Sequence, residues 1–273
     1  MLKQATKKLN LTLPNDFQTM ENIAPYFDIE AGVVSKESGA YAYASFEKAV
    51  ELARTHEVDA VCTLPIHKKA WEKAGVTYKG HTDALRDFFD AEAIMMLGCE
   101  KMYVALFTEH IPLKEVAKSI NEKDLTRFLL DFYKTAKPTS TVGILGLNPH
   151  AGDDGVLGDE ETVIQKAIDS VNLSINPSYR RGGGNPTYSD PLVPDVAFTP
   201  NVRKHYTHFI AMYHDQGLAP LKALYFDEGI NVSLNLPILR TSVDHGTAFD
   251  IAYKGMELNN LSYINAIKYI YDI

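Results

Sequence analysis

Strand-like and helix-like segments alternate along most of this chain, and that alternation constrains its fold more than any other feature. Short apolar runs separated by amphipathic stretches suit a largely parallel sheet covered by crossover helices. The pattern predicts a helix over 46–56, capped by Ser45, with Phe46, Ala49, Val50 and Ala53 on one face. A buried strand follows at 58–64. Further strands fall at 102–107, 141–147 and 206–212, and further helices at 113–120 and 123–136. A doubly wound α/β architecture is expected. Residues 1–10 carry the periodicity of a short amphipathic helix, with Leu2, Ala5 and Leu9 on one side, so the chain opens on a helix. The glycines of 180–186 precede no helix start and read as a mobile surface loop rather than a phosphate cradle.

The 273 residues, 45% hydrophobic, can bury one large core or two smaller ones. A net charge of -8 without a clustered basic face excludes nucleic acid as the main partner, while a small anion needs only a few local basic groups. No stretch resembles a signal peptide or approaches the roughly 18 apolar residues of a membrane span, so a cytoplasmic protein without a membrane partner is expected. Cys62 and Cys99 lack zinc or redox spacing and read as buried free thiols.

Open α/β sheets bind ligands outside the carboxyl ends of their strands. Three such exits carry a histidine: His110, His150 and His214. Three imidazoles from separate strand ends suit a divalent metal with open coordination positions, although each alone could be a hydrogen-bonded loop residue. In "YKGHTDAL", Gly80, His81 and Thr82 precede a helix whose N–H groups could receive a phosphate, unless Thr82 simply caps it. Lys222, Asn231 and Arg240 flank apolar sequence, and a charge there is paired or faces a cleft. His245, Gly246 and Thr247 form a turn before an expected helix and offer donors to a nucleotide. Asp159, Glu160 and Glu161 start a helix and complement its dipole. His67 and Lys68 fit an ordinary turn into a helix, and Trp71 fits packing.

The strings "GHTDAL", "LNPHAGDDGVLGDEE", "DPLVPDVAF", "MYHDQGLAPLK" and "NVSLNLPILRTSVDHGTAFD" together resemble the 4-hydroxythreonine-4-phosphate dehydrogenase family, from about Val58 to the C-terminus. The resemblance implies two α/β/α domains with a cleft between them, similar to isocitrate and isopropylmalate dehydrogenases. It divides the chain into 1–83 with 222–273, the cofactor side, and 84–221, which carries the metal-ligand loops and the dimer contacts. It implies a homodimer that uses NAD or NADP and one divalent metal (Zn, Co or Mg) held by His110, His150 and His214. His81 and Thr82 would contact the substrate, with Lys222, Asn231 and Arg240 completing its phosphate and carboxylate contacts. His245, Gly246 and Thr247 would receive the nucleotide.

The implied reaction, in vitamin B6 synthesis, oxidises a phosphorylated amino-hydroxy acid and releases carbon dioxide to leave 3-amino-2-oxopropyl phosphate. Lys222 and Arg240 would neutralise substrate anions, and Asp215 would orient His214 or move a proton. Rival readings are a paralogue acting on a threonate or erythronate phosphate, a metal-dependent hydrolase and an inactive relative. The family pattern opens with a strand and a "GDPAGIGPE" loop that this sequence lacks, so the first βα unit is expected to be missing.

Overall fold

The computed structural model describes residues 1–181, 187–256 and 258–273; residues 182–186, the glycine-rich part of the expected surface loop, lie outside the described residues. By compactness the chain divides into two units, Met1–Ala91 with Leu236–Ile273, and Glu92–Asn235. The first 91 residues form α1 (Leu2–Leu9), α2 (Lys36–Arg54), β1 (Ala60–Thr63), α3 (Lys68–Lys73) and α4 (His81–Phe89). The second unit begins with β2 (Ile94–Cys99), β3 (Met102–Leu106), α5 (Leu113–Ser119), α6 (Glu122–Ala136) and β4 (Val142–Leu145). It continues through α7 (Glu160–Ile175), β5 (Tyr188–Leu192), α8 (Pro194–Ala197), α9 (Pro200–Arg203), β6 (His208–Ala211), α10 (His214–Tyr225) and β7 (Ile230–Leu234). The chain then returns to the first unit as β8 (Leu239–Val243) and α11 (Leu261–Asp272). The expected boundaries at 83/84 and 221/222 precede these because α4 and α10 run on past them and β7 pairs with β2.

In the first unit β1 and β8 pair in parallel, Ala60 opposite Leu239 and Thr63 opposite Ser242. Phe46, Val50, Ala53, Val61, Trp71 and Leu85 bury their apolar surface together; Phe46, Val50, Val61 and Leu85 contribute about 1.5–3 kcal/mol of transfer free energy each when fully buried. One sequence expectation is corrected here. Helix α2 starts ten residues earlier than its predicted span, at Lys36, where the Ser35 hydroxyl accepts from the Ser38 N–H at 3.0 Å. Ser45 lies inside that helix and donates to the Tyr41 carbonyl at 2.9 Å, so it caps nothing. Gly39 obscures this start in the sequence, yet it is there for packing. A Cβ at Gly39 would lie 1.9 Å from the Ala70 carbonyl oxygen on α3.

In the second unit the strand order is β7-β2-β3-β6-β4-β5. Strand β2 runs antiparallel to both β3 and β7, whereas β3–β6, β6–β4 and β4–β5 are parallel. The sheet is thus mixed, with a hairpin (β2–β3) absent from the sequence reading. Leu97, Val104, Leu106, Leu145, Phe209, Leu218 and Leu221 form one core cluster. Because β3, β6 and β4 are adjacent and parallel, their carboxyl ends lie along one edge. His110, His150 and His214 follow those three ends.

Candidate metal and substrate site

The string that carries the first group is "FIAMYHDQG". Strand β6 stops at Ala211, and α10 begins three residues later at His214, where Gly217 allows close approach. A Cβ at Gly217 would meet Val104 Cγ1 at 2.4 Å and Ala211 Cβ at 2.9 Å. The first turn of α10 therefore lies directly on β3 and β6. Gln216 fixes it there: its Oε1 accepts from the Met212 N–H at 2.7 Å, and its Nε2 donates to the Gly146 carbonyl at 2.6 Å. One side chain thus joins the exits of β6 and β4.

The exit of β3 is joined to the same place by backbone. Phe107 N–H donates to the Ala211 carbonyl at 2.9 Å, and the Thr108 N–H and hydroxyl both reach the Met212 carbonyl, at 3.2 and 2.6 Å. The consequence is that the His110 and His214 rings stand 5.5 Å apart between centroids. Two imidazoles on one tetrahedral ion, with bonds of about 2.0–2.1 Å, place their centroids about 5 Å apart, so this pair fits two positions of a metal centre. His214 Nδ1 lies 2.7 Å from an oxygen of the exposed Asp215 carboxylate, which orients the ring and leaves Nε2 available.

His150 behaves differently. It sits on the turn Pro149–Gly155, where His150, Ala151, Gly152, Asp153 and Asp154 all have φ between 46° and 83°. Left-handed backbone costs an L-residue roughly 1–2 kcal/mol, and this run needs an anchor. The anchor is acidic: Glu161 Oε1 accepts from the Leu147 and Asn148 N–H groups at 2.8 and 2.7 Å, while the Asn148 amide donates to Glu160 and Glu161. Glu160 and Glu161 do occupy the first turn of α7, as read from sequence, but they also hold the His150 turn. The His150 side chain is exposed, and among the described residues no three His, Cys, Asp or Glu side chains gather as a metal cluster. The structure brings together two of the three predicted ligands.

The second group lies in the first unit. His81 is the first residue of α4, packed against Phe46 at 4.7 Å and perpendicular to Trp71 at 5.4 Å between centroids. Arg240 on β8 is buried, its Nη2 donating to Thr63 Oγ1 at 2.7 Å and facing His81 Nδ1 at 3.2 Å. Since a guanidinium can only donate, His81 Nδ1 must be the acceptor and the imidazole proton sits on Nε2. Burial and then the Arg240 charge lower the His81 pKa to about 3, so the ring is neutral at pH 7. Burial also lowers Arg240, to about 10, which leaves it cationic.

Thr82 does not cap α4. The N-cap is Gly80 without a side-chain bond, and the Asp83 carboxylate accepts from the Lys79 N–H at 2.9 Å. The capping alternative is excluded, and the hydroxyl stands beside a helix start.

The remaining candidates are more dispersed. Lys222 lies in α10 with Nζ 5.8 Å from the Phe226 ring centroid. Asn231 lies on β7 opposite Leu97, and its buried Oδ1 has no hydrogen-bond partner among the described residues. His245 Nδ1 contacts the Gly246 carbonyl at 3.0 Å, and both residues are exposed. Among the described residues no helix follows Thr247 before α11: positive φ at Ala248, Tyr253 and Gly255 turns the chain repeatedly. Thr247 and Phe249 instead line a cavity of about 400 Å³ with residues 27–33, 35, 37 and 38, all within the first unit. His67 is the N-cap of α3, as its turn implied, and Trp71 is fully buried. Among the described residues, no helix is long and apolar enough to cross a membrane.

Comparison with known proteins shows the family. The family model of the pyridoxal phosphate biosynthetic protein PdxA matches residues 2–270. A 4-hydroxythreonine-4-phosphate dehydrogenase of Sulfurimonas denitrificans is 58% identical over 268 residues, covering 98% of this chain and 84% of the relative. One from Campylobacter fetus is 50% identical over 98% of this chain and 84% of its own length. The crystal structure of the Klebsiella pneumoniae 4-hydroxythreonine-4-phosphate dehydrogenase superposes with a TM-score of 0.75 at 31% identity, over 89% of this chain and 73% of the other. That of the Burkholderia phymatum enzyme gives 0.74 at 32%, over 98% and 84%. This chain belongs to the PdxA family.

Proposed function

We propose that the chain oxidises and decarboxylates 4-phosphooxy-L-threonine to 3-amino-2-oxopropyl phosphate, using NAD or NADP and a divalent metal, in the synthesis of pyridoxal phosphate. The observation that carries the reading is the His110–His214 pair, set 5.5 Å apart at the ends of adjacent parallel strands. When bound there, a divalent cation would polarise the substrate oxygen at the reacting carbon, and a nicotinamide would accept hydride from that carbon.

The chain's own residues supply the rest. Asp215 holds the His214 ring in the orientation that presents Nε2. Arg240 and Lys222 neutralise the phosphate and carboxylate, and the helix start at His81 and Thr82, which no side chain caps among the described residues, presents N–H groups to an anion. Neutral His81 donates from Nε2 to a substrate oxygen, and the vacant acceptor of Asn231 suits the substrate ammonium or hydroxyl. His245, Gly246 and Thr247 contact the nucleotide. A cytoplasmic setting suits the two free cysteines. A homodimer suits His150, because an exposed imidazole not gathered within one chain can complete the metal centre of a second copy.

The test is absorbance of reduced nicotinamide with purified chain, zinc, cobalt or magnesium, and a panel of phosphorylated hydroxy acids. Turnover of 4-phosphooxy-L-threonine, abolished by chelation, is expected. Turnover of a threonate or erythronate phosphate alone would transfer the assignment to a paralogue. Metal-dependent phosphate release without nicotinamide would make the chain a hydrolase.

A further inference from the structure

Arg240 enters the candidate substrate site from β8, only 3% exposed, and the strand register decides what it meets there. Residues paired across a sheet point to the same face, and alternate residues along a strand share that face. Val61 pairs with Arg240 and Thr63 with Ser242, so Thr63 and Arg240 lie on one face, with Thr63 at the carboxyl end of β1. Cys62 and Thr241 take the other face, where the Thr241 hydroxyl donates to the Ala266 carbonyl of α11 at 2.9 Å. This parity brings the Thr63 hydroxyl to the guanidinium, across 177 residues of sequence.

A threonine hydroxyl can donate or accept, whereas a guanidinium only donates. Thr63 Oγ1 is therefore the acceptor for Arg240 Nη2, at 2.7 Å, and Thr63 is itself buried. The same nitrogen lies 3.2 Å from His81 Nδ1. Nη2 carries two hydrogens, one for each contact. The shorter, charge-assisted bond sets the place from which the longer one is made. Without the hydroxyl, Nη2 loses that fixed point, and its hold on His81 Nδ1 loosens.

We infer that Thr63 is a positioning residue of the proposed reaction: its hydroxyl sets Arg240 toward the substrate anion and, through Arg240, keeps the His81 proton on Nε2, the nitrogen that donates to substrate. The inference rests on the dehydrogenase reading above. Thr63 acts through these two side chains rather than on the substrate.

The test compares Thr63→Val, which keeps the β-branched shape without the hydroxyl, with Thr63→Ser, which keeps the hydroxyl. The first readout is the long-range proton–nitrogen spectrum of the full-length chain labelled with nitrogen-15 histidine, at pH 8 without substrate. The His81 signals are assigned by their loss in His81→Asn. Wild type and Thr63→Ser show a protonated Nε2 and a bare Nδ1, and Thr63→Val shows a mixture of the two tautomers. The second readout is nicotinamide reduction with 4-phosphooxy-L-threonine. In Thr63→Val, KM rises about tenfold or more while kcat stays within about threefold, because an anion contact away from the reacting carbon acts on binding. Thr63→Ser restores KM. Circular dichroism confirms folding, and Thr63→Ala replaces the valine variant if that does not fold. An unchanged tautomer, or an unchanged KM, in a folded variant without the hydroxyl would overturn the inference. If wild type reduces no nicotinamide with any substrate, the dehydrogenase reading falls, and the histidine spectrum alone decides whether Thr63 positions the pair.

Discussion

Gln216 offers a sharp test of how the strand exits are assembled. Its amide makes one bond in each direction, accepting from Met212 N–H and donating to the Gly146 carbonyl. Gln216→Ala deletes two neutral hydrogen bonds at a half-buried position, about 0.5–1.5 kcal/mol each, so about 1–3 kcal/mol in total. Gln216→Glu is nearly isosteric but more revealing. It keeps an acceptor for Met212 and places a carboxylate oxygen against the Gly146 carbonyl, where the NH2 group stood at 2.6 Å. The cost at pH 8 should therefore exceed that of the alanine variant.

The sign of the pH dependence follows from the same contact. A protonated carboxyl can donate to Gly146 and an ionised one cannot, so the introduced group has a folded-state pKa above its unfolded value of about 4.3. Its penalty is full above the folded pKa and fades as pH falls through it. Urea unfolding followed by far-ultraviolet circular dichroism at pH 8 and pH 5 should show the glutamate deficit shrinking while the alanine deficit stays constant. Fluorescence from Trp71, which lies in the first unit, serves as an internal control. A glutamate variant as stable as wild type at pH 8, or a deficit that grows on acidification, would refute the bonding scheme.

His81, neutral in the fold with its pKa lowered to about 3 from 6.5, should make the first unit acid-sensitive. Stability is full above 6.5 and falls by about 1.4 kcal/mol per pH unit below it, so Trp71-monitored unfolding should lose about 2 kcal/mol by pH 5, and His81→Asn should remove that loss. Glu161→Ala should release the left-handed turn of His150 and lower metal affinity at least about tenfold, read by competition with a chelating dye. Asp215→Asn should weaken metal binding by about 10–100-fold with little change in unfolding midpoint, because the carboxylate is exposed but orients His214.

Much of the second unit is written locally in the sequence. Helices α5 and α6 start within a residue of the predicted positions, and β3, β4 and β6 fall inside their predicted runs, because each apolar stretch has one compatible period. Strand β2 is not legible in the sequence because "IMMLGC" is buried along its whole length and shows no alternation. The start of α2 was hidden because Gly39 answers to a contact with Ala70, which is remote in sequence. The same distinction governs the site. Histidines at strand exits are visible in a string of letters, and the strand order then explains why two of them meet. The roles of Gln216, Thr108 and Glu161 there are not legible in the sequence, since their partners lie 70, 104 and 13–14 residues away. Nor does sequence foretell five successive positive φ angles from His150 to Asp154, of which only Gly152 invites one.

The most direct measurement of the central claim is anomalous diffraction from crystals grown with zinc or cobalt. One peak per chain is predicted, about 2.1 Å from nitrogens of His110 and His214 and completed by a His150 imidazole. A peak elsewhere, or none at saturating metal, would contradict it.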